Sequence, residues 1–283
     1  MNPLHASFTL RPRKEKQFMA KKLQMIGLSG FLFPLKFQMM IARSMNLNSK
    51  FFRRSFISAA ILLTIAAAPR HADETNYLPD GKPDAIALLA PPPLPDSPEQ
   101  AADLAEVRAV HENCSSNELS VAMSETKGVS VFFFTPVIGD VFQPGKLPKT
   151  EAFLNRAQKN AKRVVDAAKT HWERPRPYKV DPALLSGEPE KDFSYPSGHS
   201  TESMVLALVL ADLFPDKRDA IIAEARAIGW HRVEIARHYP TDVYAGRVLA
   251  QAIVREMKES PDFQRDLAEA KAEIAAVKTA SKN

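Results

Sequence analysis

The chain has 283 residues and a formal net charge of +5, with 45% hydrophobic and 25% charged residues. This composition excludes a disordered polar chain and a membrane protein with many spanning helices. The basic excess lies at the front, because residues 1–54 hold eleven basic residues and one acid, whereas residues 73–283 hold 26 basic and 32 acidic residues. The acidic body argues against a general nucleic-acid binder.

An apolar run of 13 residues, 56–68, follows the basic residues Lys50, Arg53 and Arg54. It is shorter than the roughly 20 apolar residues that a membrane-spanning helix needs. A basic flank, a short apolar stretch and small residues at its end are typical of a secretory signal peptide. We therefore predict that the protein is exported to the periplasm.

The predicted signal peptide covers residues 45–72 and starts at Met45. Cleavage after Ala68 and cleavage after Ala72 both stay open, as do the general and the twin-arginine export routes. Residues 1–44 are predicted to be an overextended start of the sequence, or else a long basic leader.

Residues 73–96 contain six prolines and no periodic pattern, which predicts an extended N-terminal arm. Helical periodicity begins after Ser97, an N-cap residue that is followed by Pro98. No strand ladder, repeat or glycine-rich phosphate loop is evident, so we predict one all-α domain, a helical bundle over residues 97–283. Its helices are predicted at about 98–111, 117–125, 150–170, 199–213, 217–236, 241–258 and 262–279.

Two segments between these helices are less regular. The β-branched and aromatic run Val129–Val141 has no partner strand, so buried helical turns or a packed loop are predicted there. Residues 173–197 are predicted to form a loop with one short turn at Leu184–Leu185. The single cysteine, Cys114, allows no intrachain disulfide and is predicted to be inert.

Three segments carry residues suited to phosphate chemistry. The first reads Lys-Thr-His-Trp-Glu-Arg-Pro-Arg-Pro from Lys169, and the second reads Ser-Tyr-Pro-Ser-Gly-His-Ser from Ser194. The third joins Arg232, His238 and Asp242. Each segment alone is weakly informative, but the three in this order form a specific pattern.

Together the segments resemble the three-part signature of the type 2 phosphatidic acid phosphatase superfamily, Lys-x6-Arg-Pro, Pro-Ser-Gly-His and Ser-Arg-x5-His-x3-Asp. The tyrosine-containing second segment resembles the bacterial class A nonspecific acid phosphatases. The resemblance spans roughly residues 75–260 and implies a helical bundle of that kind. It also implies hydrolysis of phosphomonoesters through a phosphohistidine, with broad specificity. His231, Phe193 and Ser200 depart from the usual Ser, Gly and Thr, which leaves the subfamily and the preferred substrate open.

The residue types fit that chemistry. Phosphoryl transfer needs positive charge around three phosphate oxygens, which Lys169, Arg176 and Arg232 can supply. Ser197 and Gly198 precede an apolar helix, whose N-terminal amides and accessible backbone suit a phosphate oxygen. From these segments alone, surface cations and a simple helix cap stay open as alternatives.

His238 is the predicted nucleophile, because a neutral imidazole can attack phosphorus and form a phosphohistidine. Asp242 is predicted to accept from its other ring nitrogen, across a helix boundary at Pro240. A capping pair is the alternative for these two side chains. His199 is predicted to be the general acid for the leaving group and then the base for water. His231 is predicted to be structural or to lie at the pocket rim.

No cofactor and no metal ion is predicted, because side-chain cations already neutralise the phosphate. The predicted partners are small-molecule phosphomonoesters, with no nucleic acid and no membrane span in the mature chain. A homo-oligomer and phosphotransfer to other acceptors stay open. So do three other functions, namely a vanadate-dependent haloperoxidase, a lipid phosphate phosphatase and a non-catalytic phosphate- or nucleotide-binding protein.

Overall fold

The structure, a computed structural model, describes residues 76–280, which belong to one unit. The predicted leader and signal peptide, residues 1–44 and 45–72, lie outside the described residues. Within 76–280 every regular element is an α-helix or a 3₁₀ turn, and no strand occurs. The predicted all-α class is therefore confirmed.

Ten α-helices occur between residues 76 and 280. They are α1 Ala85–Leu88, α2 Pro98–Asn113, α3 Ser116–Ser124, α4 Thr135–Ile138, α5 Pro148–Trp172, α6 Pro177–Val180, α7 Gly198–Leu213, α8 Arg218–Glu234, α9 Pro240–Lys258 and α10 Pro261–Ala280. The 3₁₀ turns are Val131–Phe134, Pro182–Leu184 and Pro215–Lys217. None of the helices in this part of the chain has the length and apolarity needed to cross a bilayer.

Helix α7 lies at the centre of the bundle. Apolar residues occupy all of its sides rather than one stripe, which is the pattern of a helix enclosed by neighbours. It packs against α5, α8 and α9, the helices that carry or flank the other motif segments. At its N-terminal end the Ser197 amide donates to the carbonyl of Asp242 at 3.0 Å. The second and third segments therefore meet at one end of the bundle.

The N-terminal arm packs into the same core. The buried Tyr77 ring makes edge contacts with Phe153 and Phe263, at centroid separations of 6.0 and 5.3 Å. Its hydroxyl donates to Asp266 at 2.6 Å. The arm also contains the helical turn α1, so residues 73–96 are not extended throughout, and the arm is fastened to α5 and α10.

Most helix bounds agree with the sequence pattern to within two residues. The run Val129–Val141 forms a 3₁₀ turn and α4, which confirms buried helical turns. The loop 173–197 differs, because it contains α6 as well as a 3₁₀ turn at Pro182–Leu184. Pro177 at the first position of α6 explains the difference, since proline there opens a helix rather than breaking one.

A glycine allows the close contact between α9 and the start of α7. A Cβ atom at Gly246 would lie 2.8 Å from the carbonyl oxygen of Ser197 and 3.0 Å from Thr201 Oγ1. Because the nearer atom belongs to the backbone of the second motif segment, it cannot turn aside as a flexible side chain would. Gly246 therefore sets the distance between Asp242, one turn earlier on α9, and the N-terminus of α7.

We expect Gly246→Ala to destabilise the protein by about 1–3 kcal/mol, the range for overpacking a close contact. The shift of α7 against α9 should also lower kcat on a phosphomonoester. Gly229→Ala is the comparison variant, because its Cβ would lie 3.1, 3.2 and 3.4 Å from the Oγ, Cβ and Cα atoms of Ser200, contacts that are less close than the 2.8 Å at Gly246, so a smaller loss is expected. Urea unfolding and steady-state kinetics measure both effects. Wild-type stability and activity in Gly246→Ala would contradict this role.

Candidate active site

The C-terminal end of α5 carries the first motif segment. Lys169 lies in its last turn, and the chain reverses at Glu173, whose backbone has a left-handed φ of 48°. The Glu173 amide donates to the Lys169 carbonyl at 3.0 Å and so caps the helix. Arg176 follows directly before Pro177 opens α6. The reversal brings the Lys169 and Arg176 side chains onto one common partner, Asp192.

A tight turn between α8 and α9 carries the third segment. Helix α8 ends at Glu234, and Ala236 adopts a left-handed φ of 51°. The carbonyl of Arg232 then accepts from the amides of Arg237 and His238, at 2.8 and 3.1 Å. These two hydrogen bonds fold the chain back on itself. The five residues between Arg232 and His238 therefore form the end of α8 and this turn.

His238 and Asp242 meet across the first turn of α9. Asp242 Oδ2 lies 3.3 Å from His238 Nδ1 and accepts from the Tyr239 amide at 2.9 Å. Asp242 therefore both caps α9 and faces the imidazole, and its role in orienting His238 for chemistry stays a prediction. With a proton on Nδ1, Nε2 carries the lone pair and acts as an acceptor. That nitrogen lies 3.2 Å from Arg176 Nη1.

Two further side chains hold the buried Asp242 carboxylate. Arg174 Nη1 donates to its Oδ1 at 2.6 Å, and Ser194 Oγ donates to its Oδ2 at 2.5 Å. Arg174 also forms an ion pair with the buried Asp103 at 2.7 Å. Because outer partners of this kind fix the orientation of a functional group, the direction of His238 depends on all of them.

The N-terminus of α7 carries the second segment. Ser197 is fully buried and acts as the N-cap, and its own amide is bound to the Asp242 carbonyl. Gly198 and His199 instead line a cleft. His199 Nε2 lies 2.9 Å from the carbonyl oxygen of Glu125. Because that nitrogen donates to the carbonyl, Nδ1 is the ring nitrogen left for another partner.

The cleft has a volume of about 660 Å³. Five of the predicted site residues line it, namely Lys169, Arg176, Gly198, His199 and His238. The other three, Ser197, Arg232 and Asp242, are fully buried behind them. Within residues 76–280 no group of three or more His, Cys, Asp or Glu side chains is placed to hold a metal ion.

The three predicted phosphate-binding cations, Lys169, Arg176 and Arg232, form one group, which we call the cation cluster. Two carboxylates of the loop before α7, Glu190 and Asp192, join its members, and we call them the acidic pair. Asp192 binds Lys169 and Arg176, and Glu190 binds Arg176 and Arg232. These ion pairs hold the three cations close together, and their binding of phosphate stays a prediction.

Burial shapes the chemistry of these cations. Burial lowers the pKa of Arg232, the charge of Glu190 opposes this and the charge of Arg176 adds to it, with a net pKa of about 10. Burial and the Arg176 charge also lower the pKa of Lys169. Among the described residues, Arg232 Nε and Nη1 have no hydrogen-bond partner. Buried charged donors without partners are costly, so these two atoms are suited to bind an anion.

Both histidines of the cleft are held neutral. Complete burial, followed by the charges of Arg176 and Lys169, lowers the pKa of His238 well below its usual value. Burial and the charge of Arg232 lower the pKa of His199 to about 3. A neutral His238 keeps an unprotonated ring nitrogen in acid. His199 needs a negative charge on the cation cluster before it can hold a proton near pH 5.

His231, the departure from the family signature, binds a neighbour of the cleft. Its Nδ1 lies 3.0 Å from the Glu125 carboxylate, and the carbonyl of the same Glu125 contacts His199. Burial lowers the pKa of His231, but the hydrogen bond and charge of Glu125 outweigh it, with smaller contributions from Glu234 and Glu224, so the pKa is raised. The ion pair is therefore fully present below about pH 6.5 and is lost as pH rises through the raised pKa.

We expect His231→Asn to destabilise the protein by about 0.5–1 kcal/mol at pH 5, a value reduced by solvent screening, and by less at pH 9. His111→Asn is the matched control, since the His111 ring binds the Glu234 carbonyl rather than a carboxylate. Urea unfolding at both pH values measures the difference. A destabilisation by His231→Asn that is the same at pH 5 and pH 9 would contradict the assigned ion pair.

Sequence reasoning missed several residues of this site. Arg174 lies inside the first motif segment, so its position was a usable signal. Asp103 lies 71 residues before Arg174, and no local pattern indicates their contact. Glu190 and Asp192 stand in a loop without periodicity, where the sequence does not fix side-chain directions.

Comparisons with known proteins find similar sequences and a similar structure. Residues 160–264 match the family model described as PAP2 superfamily. An acid phosphatase of Zymomonas mobilis is 28% identical over 207 residues, which cover 70% of this chain and 78% of that protein. A non-specific acid phosphatase of Salmonella typhi is 32% identical over 147 residues, which cover 50% of this chain and 59% of that protein.

Among solved structures, a transmembrane PAP2 type phosphatidylglycerolphosphate phosphatase from Bacillus subtilis aligns with a TM-score of 0.44 at 21% identity. The alignment covers 62% of this chain and 89% of that chain. All eight predicted site residues lie inside the matched range 160–264. The match to the PAP2 superfamily model therefore includes all three motif segments.

Proposed function

We propose that this protein is an exported acid phosphatase that hydrolyses phosphomonoesters through a phosphohistidine. One observation carries the proposal. His238 directs Nδ1 to the Asp242 carboxylate and Nε2 to Arg176 of the cation cluster, at the base of the cleft. The acid phosphatase relatives support the phosphatase activity. The predicted signal peptide supports export to the periplasm.

Substrate binding uses the cation cluster. Its charges and the free donors of Arg232 stabilise the three equatorial oxygens of the phosphate, on which negative charge is held during transfer. The phosphorus atom is then held next to His238 Nε2, in line with the leaving oxygen. Positioning of this kind supplies much of the rate enhancement in phosphoryl transfer.

In the first step, the Nε2 lone pair of His238 forms a bond to phosphorus while the bond to the leaving oxygen breaks. The leaving oxygen takes the electron pair and a proton from His199. Asp242 keeps the Nδ1 proton in place and stabilises the positive charge that develops on the phosphorylated ring.

In the second step, neutral His199 takes a proton from water as the water oxygen attacks phosphorus. The P–N bond breaks, its electron pair returns to Nε2 of His238, and the proton on His199 passes to the inorganic phosphate as it leaves, which restores both neutral histidines. An alcohol in place of water would give phosphotransfer by the same route, and we include that activity in the proposal.

The pH dependence follows from the neutral state of His199. A phosphomonoester loses its second proton near pH 6, so at lower pH it brings a proton into the cleft. The bound negative charge offsets the effect of Arg232, and His199 can then carry that proton to the leaving oxygen. Activity should therefore decline as pH rises above about 6.

The experiment is hydrolysis by residues 73–283 of nucleotides, sugar phosphates and aryl phosphates across pH, with and without chelator. We expect turnover of several substrates, an acidic optimum and little effect of chelator. Turnover of phosphatidate alone would indicate the lipid phosphatase instead. Halide oxidation by peroxide after vanadate addition would indicate the haloperoxidase. Binding of phosphate without turnover of any substrate would overturn the proposal.

A further inference from the structure

The acidic pair occupies donors that a substrate phosphate also needs. Asp192 Oδ1 lies 2.5 Å from Arg176 Nη2, and Glu190 binds the same Nη2 atom as well as Arg232. Asp192 also binds Lys169. One guanidinium nitrogen cannot donate fully to two carboxylates and a phosphate at once. The acidic pair and the substrate therefore cannot both be bound as these contacts stand.

Exposure shows which group lies nearer to solvent. The side chains of Asp192 and Glu190 are 52% and 25% exposed, whereas those of the cation cluster are 6% exposed or less. The acidic pair thus covers the cations from the open side of the cleft. A phosphate that enters from solvent approaches the face that the acidic pair covers.

The loop backbone is fastened independently of these carboxylates. Arg176 Nε donates to the Asp192 carbonyl at 3.1 Å, and the Glu190 amide donates to the Tyr178 hydroxyl at 2.9 Å. The Arg237 guanidinium also donates to the carbonyl of Ser186. Because the backbone is held at these points, the two carboxylates can turn away from the cations without unfolding the loop.

We propose that the acidic pair determines substrate affinity by competing with the substrate phosphate for the cation cluster. This inference rests on the proposed function, because it assigns the cluster to phosphate. It makes Glu190 and Asp192 specificity-determining residues, which favour ligands with enough negative charge to displace two carboxylates. Inorganic phosphate, the product, meets the same competition, which limits product inhibition.

Acid does not remove the part of this competition that belongs to Asp192. Burial raises the pKa of the Asp192 carboxyl, but the charges of Arg176 and Lys169 outweigh it and hold the pKa well below its usual range. Asp192 therefore remains an anion at the pH where an acid phosphatase works. The effect of Asp192 on affinity should persist between pH 4 and pH 6, the range in which the catalytic proton is available.

The test is calorimetric binding of inorganic phosphate at pH 5 to the wild type and to Glu190→Gln, Asp192→Asn and the double variant. We expect Kd to fall about threefold in Asp192→Asn, which is half exposed, about tenfold in Glu190→Gln, and about thirtyfold in the double variant if the two effects add. Glu188→Gln is the matched control, an exposed acid of the same loop, and should change Kd less than twofold.

A purely structural role of the acidic pair predicts no decrease in the Kd for phosphate. If the acidic pair only holds the cations in position, the double variant binds phosphate more weakly or unchanged, and either result overturns the inference. Repeating the measurement in a His238→Ala background separates it from the proposed function, since binding there needs no turnover. In the catalytically intact double variant, KM for a phosphomonoester should fall while kcat does not rise in proportion. A higher KM would also overturn the inference.

Discussion

The His238→Ala variant is expected to lose turnover of phosphomonoesters by about 10⁴-fold or more, because no other side chain can take the place of a nucleophile. His238 is buried, with one ring nitrogen on Asp242 and the other beside Arg176. Its removal leaves the cation cluster intact. Binding of inorganic phosphate should therefore survive while kcat falls.

The control for this variant is His171→Ala, which removes an exposed histidine between the first two motif residues. It should retain wild-type kcat. His238→Gln, which keeps an amide beside Asp242, guards against a loss that merely reflects unfolding, and circular dichroism with thermal unfolding checks the fold of all three. Substantial turnover by both His238 variants would exclude the nucleophile assigned here.

The His199→Gln variant should show a loss that depends on the leaving group. For an alkyl phosphate, whose leaving oxygen needs a proton, we expect kcat/KM to fall about 10²–10⁴-fold. For p-nitrophenyl phosphate, whose leaving oxygen is a stable anion, the fall should be less than about tenfold. The ratio of the two substrates therefore reports proton donation, which a general structural defect would not change.

His111→Gln is the matched control for His199→Gln, because both rings contact a backbone carbonyl and only His199 lines the cleft. It should lower neither kcat/KM nor the ratio between the two substrates. Equal losses on both substrates in His199→Gln would contradict the assignment of His199 as the general acid.

The helices could be predicted from sequence because their signals are local. Ser97 caps α2 as its position before Pro98 predicts, and Ser197 caps α7 in the same way. Periodic apolar residues fix the faces of α5 and α9 toward α7. The short helix α6 was missed because its prolines indicate a loop, although proline at the first helical position favours a helix.

The motif residues could be predicted because the chemistry of phosphate restricts which side chains can bind it. They were identified through their resemblance to the family signature, and the structure brings Lys169, Arg176 and Arg232 onto two shared carboxylates. The support of Asp242 by Arg174 and Asp103 could not be predicted, since it depends on a contact between α2 and the end of α5. The acidic pair was missed because loop side chains carry no periodic signal.

The placement of Ser197 and Gly198 shows the limit of motif reasoning. Both were predicted to bind phosphate, and the structure puts Gly198 in the cleft lining and Ser197 behind it as a helix cap. The amide of Ser197 is already bound to the Asp242 carbonyl. The role of Ser197 in phosphate binding therefore stays a prediction. The structure shows that Ser197 caps α7 and links it to α9 through this hydrogen bond.

The most direct test of the central claim is chemical trapping of the phosphoenzyme. Wild-type protein is mixed with labelled phosphomonoester, quenched in alkali within milliseconds and mapped by mass spectrometry of its peptides. We predict an acid-labile, alkali-stable phosphoryl group on His238 that is absent from His238→Ala. Turnover without any labelled histidine, or a label on another residue, would contradict the mechanism.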